Sequence, residues 1–111
     1  MGIGAYEIPS LRFSLPAGAD VDRFRFVKVN ADGAGELAGA DDVIIGASMN
    51  QAAEGEVLEV ADGIVIIEAS EAIEAGSAVV ADSDGKAALG DSTIITLTAA
   101  AAAGEFITVK I

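Results

Sequence analysis

The chain has 111 residues, carries 18 acidic against 6 basic side chains for a formal charge of −12, and contains neither cysteine nor histidine. That length suits one domain with one modest core, and the two missing residue types exclude disulfide frameworks, thiolate or imidazole metal sites, Cys nucleophiles and His-based proton relays. An acidic field of this size repels DNA, RNA and anionic lipid, so neither nucleic acid nor membrane is an expected partner.

The first 13 residues, MGIGAYEIPSLRF, lack a basic n-region and a continuous apolar h-region, so no signal peptide is expected. Between Pro9 and Pro16, Leu11, Phe13 and Leu15 alternate with Ser10, Arg12 and Ser14. Such alternation predicts a strand with one buried face, and the two prolines keep it out of the middle of a sheet. Residues 1–19 therefore read as an N-terminal extended arm or edge strand, and residues 20–111 as a β domain.

Further along, Arg23-Phe24-Arg25-Phe26-Val27-Lys28-Val29 predicts a strand with Phe24 and Phe26 toward the core and Arg25 outside. Its basic outer face asks for an acidic neighbour, on an adjacent copy or another protein. Further strands are predicted at 43–47, 56–60, 64–68, 78–81, 87–89, 93–97 and 106–111, all short and rich in Val, Ile and Thr. Turns fall at Asp32-Gly33, Asp62-Gly63 and Asp84-Gly85, where Asp and Gly tolerate positive φ, and more loosely at Gly90-Asp91. Residues 71–75 and 99–103 allow a helical turn at most. The fold class is all-β: a small single-domain barrel or sandwich with short hairpins, an N-terminal extended arm and at most one or two helical turns.

Charge divides along the chain. Residues 1–28 hold four basic and three acidic side chains, net +1, and the remaining 83 hold two basic and fifteen acidic, net −13. No catalytic constellation emerges. Asp82-Ser83-Asp84-Gly85 begins like a Ca²⁺ loop but lacks the later ligands, so no metal is expected. Asp41/Asp42 and Glu54/Glu56 are neighbours by abundance, and the serines have no base. Gly2-Ile3-Gly4 and Gly33-Ala34-Gly35 continue into no phosphate loop, and Lys86 matches a carrier lysine only in its turn. The chain is read as a non-enzyme without cofactors.

Val43-Ile44-Ile45-Gly46-Ala47-Ser48, Glu54-Gly55-Glu56-Val57-Leu58-Glu59-Val60, Asp62-Gly63-Ile64-Val65 and the run from Ile73-Glu74-Ala75-Gly76 to Asp82-Ser83-Asp84-Gly85-Lys86 occur in an order that resembles the tailed-phage capsid decoration, or cement, proteins. The resemblance spans about residues 24–88. It implies a structural virion protein on the outer capsid surface, made in the host cytoplasm, that stabilises the capsid by clamping neighbouring coat subunits. The implied partner is the major capsid protein, and a composition 52% hydrophobic with few aromatics suits burial against further copies of the chain, as a homotrimer first and a dimer next. The expected capsid or subunit interface comprises Leu11, Arg12, Phe13, Leu15, Arg23, Arg25 and Lys28, with strand addition supplying backbone hydrogen bonds. The other reading is a non-enzymatic β binding module, carrier or adhesin-like, unrelated to capsids.

Overall fold

Nine strands make up the regular structure of residues 4–111, which are the residues the computed structural model describes. They are β1 (Ile8–Pro16), β2 (Phe26–Val29), β3 (Gly35–Leu37), β4 (Gly46–Ser48), β5 (Val57–Glu68), β6 (Val79–Ala81), β7 (Ala87–Leu89), β8 (Ile95–Thr96) and β9 (Phe106–Lys110). Met1, Gly2 and Ile3, the start of the expected arm, lie outside the described residues. The fold is all-β, with an antiparallel sheet in the order β3-β2-β4-β5-β9-β8, β1 attached to β5, and a separate β6-β7 hairpin.

Two of the Asp-Gly turns form as the sequence requires, each locked by the polar side chain that precedes it. Between β2 and β3 the Asn30 Oδ1 accepts from the Asp32 and Ala34 N–H groups at 2.9 and 3.0 Å. Between β6 and β7 the Asp82 Oδ1 accepts from Asp84 and Lys86, both at 2.9 Å. These are local side-chain caps on a turn, available to Asn and Asp because their carbonyl reaches two residues ahead.

Asp62-Gly63 is different, and the expectation of a hairpin there is corrected. It lies within the twelve-residue strand β5, where β1 carries a register shift between Pro9 and Leu11 across from it. Gly63 has φ +94°, and a Cβ on it would sit 2.6 Å from the Ser10 Oγ and 2.7 Å from the Ser10 nitrogen. β5 buries both of its faces: Leu58 and Val60 are fully buried on one, and Ala61, Val65 and Ile67 on the other. The extra residue is Ser10 of β1, so the bulge shifts β1 against β5, while Ala61 before Gly63 and Val65 and Ile67 after it share one cluster.

One strand thereby serves two cores, one on each face. Leu58 and Val60 join Ala17, Val21, Val27 and Ala52, with Phe13, Leu15, Leu37 and Ile45 packed at the margin. Val65 and Ile67 join Phe26, Ile73, Val79, Ile107 and Val109 in the larger cluster. Partners follow the same division: β1 pairs with Val57 to Ile64, β4 with Val60 and Ala61, and β9 with Ile64 to Glu68.

Residues 71–75 and 99–103 contain no helix. Instead Ile73 and Ala100 exchange both backbone hydrogen bonds at 2.9 Å, tying the two segments together. For runs this short, a non-local bridge outweighs alanine's helix propensity.

Gly63→Ala is expected to cost about 1–3 kcal/mol of unfolding free energy, from positive φ plus the Ser10 contact. Urea denaturation measures it; unchanged stability would contradict the bulge.

Candidate attachment surface

β1 lies against its own domain along its whole length. Phe13 and Leu15 sit across from Val60 and Leu58 and are half-buried on the smaller cluster. Leu11 and Ile8 extend past that cluster, 57% and 61% exposed. Just before the strand, the Tyr6 backbone is gripped by one side chain of β9. Its N–H donates to the Thr108 Oγ1 at 2.6 Å, and its carbonyl accepts from the same hydroxyl at 2.8 Å. Thr108 itself is buried, so this grip fixes where the segment crosses β9.

Four of the six basic residues are engaged by carboxylates of the same chain. Arg12 reaches Glu59 at 2.9 Å on the surface. Arg25 is the most enclosed, between Glu68 at 3.2 Å and Asp22 at 3.7 Å. Glu68 also holds Lys86 at 3.1 Å, and Lys28 meets Asp42 at 3.3 Å. The acidic neighbour that the basic face of β2 requires is therefore supplied within the chain, by Asp22, Asp42 and, 43 residues from Arg25, Glu68 of β5.

Arg23 takes another course. Its guanidinium lies 4.5 Å over the Phe24 ring, whose centroid is 4.8 Å from that of Phe106 at a 59° tilt. Phe24 has φ +67°, the left-handed region, and precedes β2 instead of beginning it. Only Phe26 of the pair faces the core; Phe24 is half-buried. A bulky residue in this conformation costs about 1–3 kcal/mol and is held only where its surroundings over-determine it. Here they do: the Phe24 N–H donates to the Ser48 carbonyl at 3.1 Å, and its own carbonyl accepts from Glu68 at 3.0 Å. The Ser48 hydroxyl donates to the Asp22 carbonyl at 2.6 Å and accepts from the Arg25 N–H at 3.0 Å.

The seven residues singled out by sequence do not form one patch. Leu11, Arg12, Phe13 and Leu15 share β1, while Arg25 is tied to the far end of β5 at Glu68 and Lys28 to Asp42 beyond β3. Exposed Tyr6, Ile8 and Phe106 were not among them, although each carries apolar area at the surface. Ile8 could have been found, since it precedes Pro9 in an extended run. Phe106 could not, because a strand's first residue carries no local sign of its exposure.

An open groove of about 600 Å³ is lined by Ala99, Ala100, Ala101, Ile73, Leu89 and neighbours, with Glu74 and Glu105 as its ionisable groups. Among the described residues no three carboxylates converge as a metal site would need.

Compared with known proteins, residues 7–111 match the family model described as phage cement protein. No curated protein matches. Among solved structures, the fold is similar to the head fibre gp8.5 N base of bacteriophage phi29, with a TM-score of 0.76 and 17% identity over 91% of this chain and 92% of that one.

Two consequences can be measured. Removing the carboxylate at Glu68→Ala leaves the Arg25 guanidinium, only 11% exposed, without its closest partner, and should destabilise the fold by about 1–3 kcal/mol in urea denaturation. A loss under about 0.5 kcal/mol contradicts the bridging role. The Asp42 carboxyl accepts from the Gly39 N–H at 2.7 Å, and that bond together with Lys28 holds its pKa below the ordinary 3.8. A lowered pKa means stabilisation present above pH 3.8 and lost as pH falls through the folded-state value. The Gly39 amide shift should titrate with a midpoint below 3.8, and a midpoint at or above 3.8 contradicts it.

Proposed function

The chain belongs to the phage cement protein family, and from that premise we propose that it binds the outer surface of an expanded capsid and stabilises it by clamping neighbouring coat subunits. A member of that family is a structural component of the virion. The finer assignment rests on one observation: the near-neutral first quarter carries its apolar side chains outward, at Ile8 and Leu11.

The division of charge supports the same reading. Residues 8–19 contain no acid, whereas the body beyond residue 28 holds fifteen. An acidic body stays soluble and off packaged DNA, and the acid-free stretch meets protein. In this assignment residues 1–19 attach and residues 20–111 support them. Leu11, Phe13 and Leu15 supply the apolar contact, and Arg12 and Arg23 supply exposed guanidinium groups at the rim. Arg25 and Lys28 act indirectly, by fixing the segment from Asp22 to Val29 through their ion pairs. Copies gather as a homotrimer at three-fold sites, with a dimer as the next alternative.

Leu11 is exposed, so Leu11→Ser should leave folding intact. Covering a side chain of this size contributes about 1.5–3 kcal/mol, or roughly 10- to 150-fold in affinity. Co-sedimentation with expanded capsids should weaken by at least about ten-fold; undiminished binding would remove β1 from the coat contact.

A further inference from the structure

We propose that β1 also pairs with β1 of a second copy, antiparallel about a two-fold axis through Phe13. This contact requires no coat protein and goes beyond the capsid attachment proposed above.

The backbone sets the register. On β5 the Glu59 carbonyl accepts from the Met49 N–H at 2.8 Å, and the Glu59 N–H donates to the Asn50 Oδ1 at 2.8 Å. The Val57 carbonyl likewise accepts from the Asn50 Nδ2 at 3.1 Å. Val57 and Glu59 thus turn their polar groups away from β1. Because polar groups alternate along an antiparallel strand, Leu58 and Val60 turn toward β1, where Leu15 and Phe13 lie across from them. Arg12 and Ser14, across from Ala61 and Glu59, then direct their N–H and C=O groups to the outer edge. No strand takes them up among the described residues.

The side chains pick the same axis. Leu11-Arg12-Phe13-Ser14-Leu15 has a leucine two residues to either side of Phe13. A two-fold axis at Phe13 places Arg12 opposite Ser14 of the other copy, so the two outward residues exchange both backbone hydrogen bonds, and again on the other side of the axis. The same operation sets Leu11 against the second copy's Leu15 and Phe13 against its Phe13. Leu11 is 57% exposed while Phe13 and Leu15 are half-buried, and the pairing covers the one that the domain's own core leaves open. Two independent features, backbone direction and apolar spacing, converge on one axis.

Charge permits the contact at this edge. The self-repulsion of a chain at −12 is weakest where residues 8–19 carry no acid, and the single charge there, Arg12, is already neutralised by Glu59. Pro9 and Pro16 lack an N–H and end the ladder on either side, and an isologous contact uses up the edge it joins, so the pair closes instead of growing into a fibre. On a shell such a contact would link copies at neighbouring three-fold sites.

The test uses the purified full chain without capsids. Ser14→Pro removes the outward N–H while leaving the pairing to β5 untouched, whereas Ser14→Ala keeps it. In sedimentation equilibrium the parent chain and Ser14→Ala should self-associate alike, and Ser14→Pro should associate at least about ten-fold more weakly with an unchanged circular dichroism spectrum. The chain has no cysteine, so Phe13→Cys reports directly. The Cα atoms of a non-hydrogen-bonded pair lie about 4.5 Å apart, within disulfide reach, so mild oxidation should give a covalent dimer, and Ser10→Cys should not. A parent chain that stays monomeric, Ser14→Pro that associates normally, or folded Phe13→Cys that fails to cross-link overturns the pairing. Loss of capsid binding in Ser14→Pro with self-association unchanged would give the edge to the coat protein and also overturn it, leaving the attachment reading intact.

Discussion

The burial of β5 on both faces is the constraint on which the rest of the structure depends. Successive side chains of a strand point to opposite faces, so one strand can feed two cores. One face of β5 turns Leu58 and Val60 to the smaller cluster while the other turns Ala61, Val65 and Ile67 to the larger one. The smaller cluster has its margin closed by Phe13 and Leu15 of β1, and β1 meets β5 through a register shift across from Gly63, whose backbone is left-handed. Ser10, the extra residue of β1, lies against that glycine.

A second constraint operates at the other end of β5. Glu68 collects Arg25 and Lys86, its backbone N–H holds the Phe24 carbonyl, and Phe24 is thereby kept in a conformation its side chain resists. The result is an Arg23-Phe24-Phe106 stack at the surface. Basic residues that looked free in the sequence are structural, and the charge left for partners is smaller than a count suggests.

What could be read from sequence was whatever rests on neighbours along the chain. The alternation of Leu11, Phe13 and Leu15 between two prolines marked β1, and Asp32-Gly33 and Asp84-Gly85 marked turns because Asn30 and Asp82 close them locally. Asp62-Gly63 carries the same letters, but what it does depends on Ser10 across the sheet, which no local signal contains. Likewise the backbone of Phe24 is set by Ser48 and Glu68, and the partner of Arg25 lies 43 residues on. β3 had no apolar run to announce it, since Gly35-Glu36-Leu37 pairs through its backbone with β2. The resemblance to cement proteins rested on the order of these elements, which survives when individual boundaries shift.

In the proposed function and pairing, this virion protein meets its partners along β1, and hydrogen exchange at single amides examines the outer edge of that strand without any substitution. In the free, dilute chain the Arg12 and Ser14 amides should exchange rapidly while those of Phe13 and Leu15, turned toward β5, are protected. On decorated capsids, protection of Arg12 and Ser14 should rise by about two orders of magnitude or more, with Phe13 and Leu15 little changed. If Arg12 and Ser14 exchange at the same rate on and off the capsid, the edge is not where this protein holds its partners.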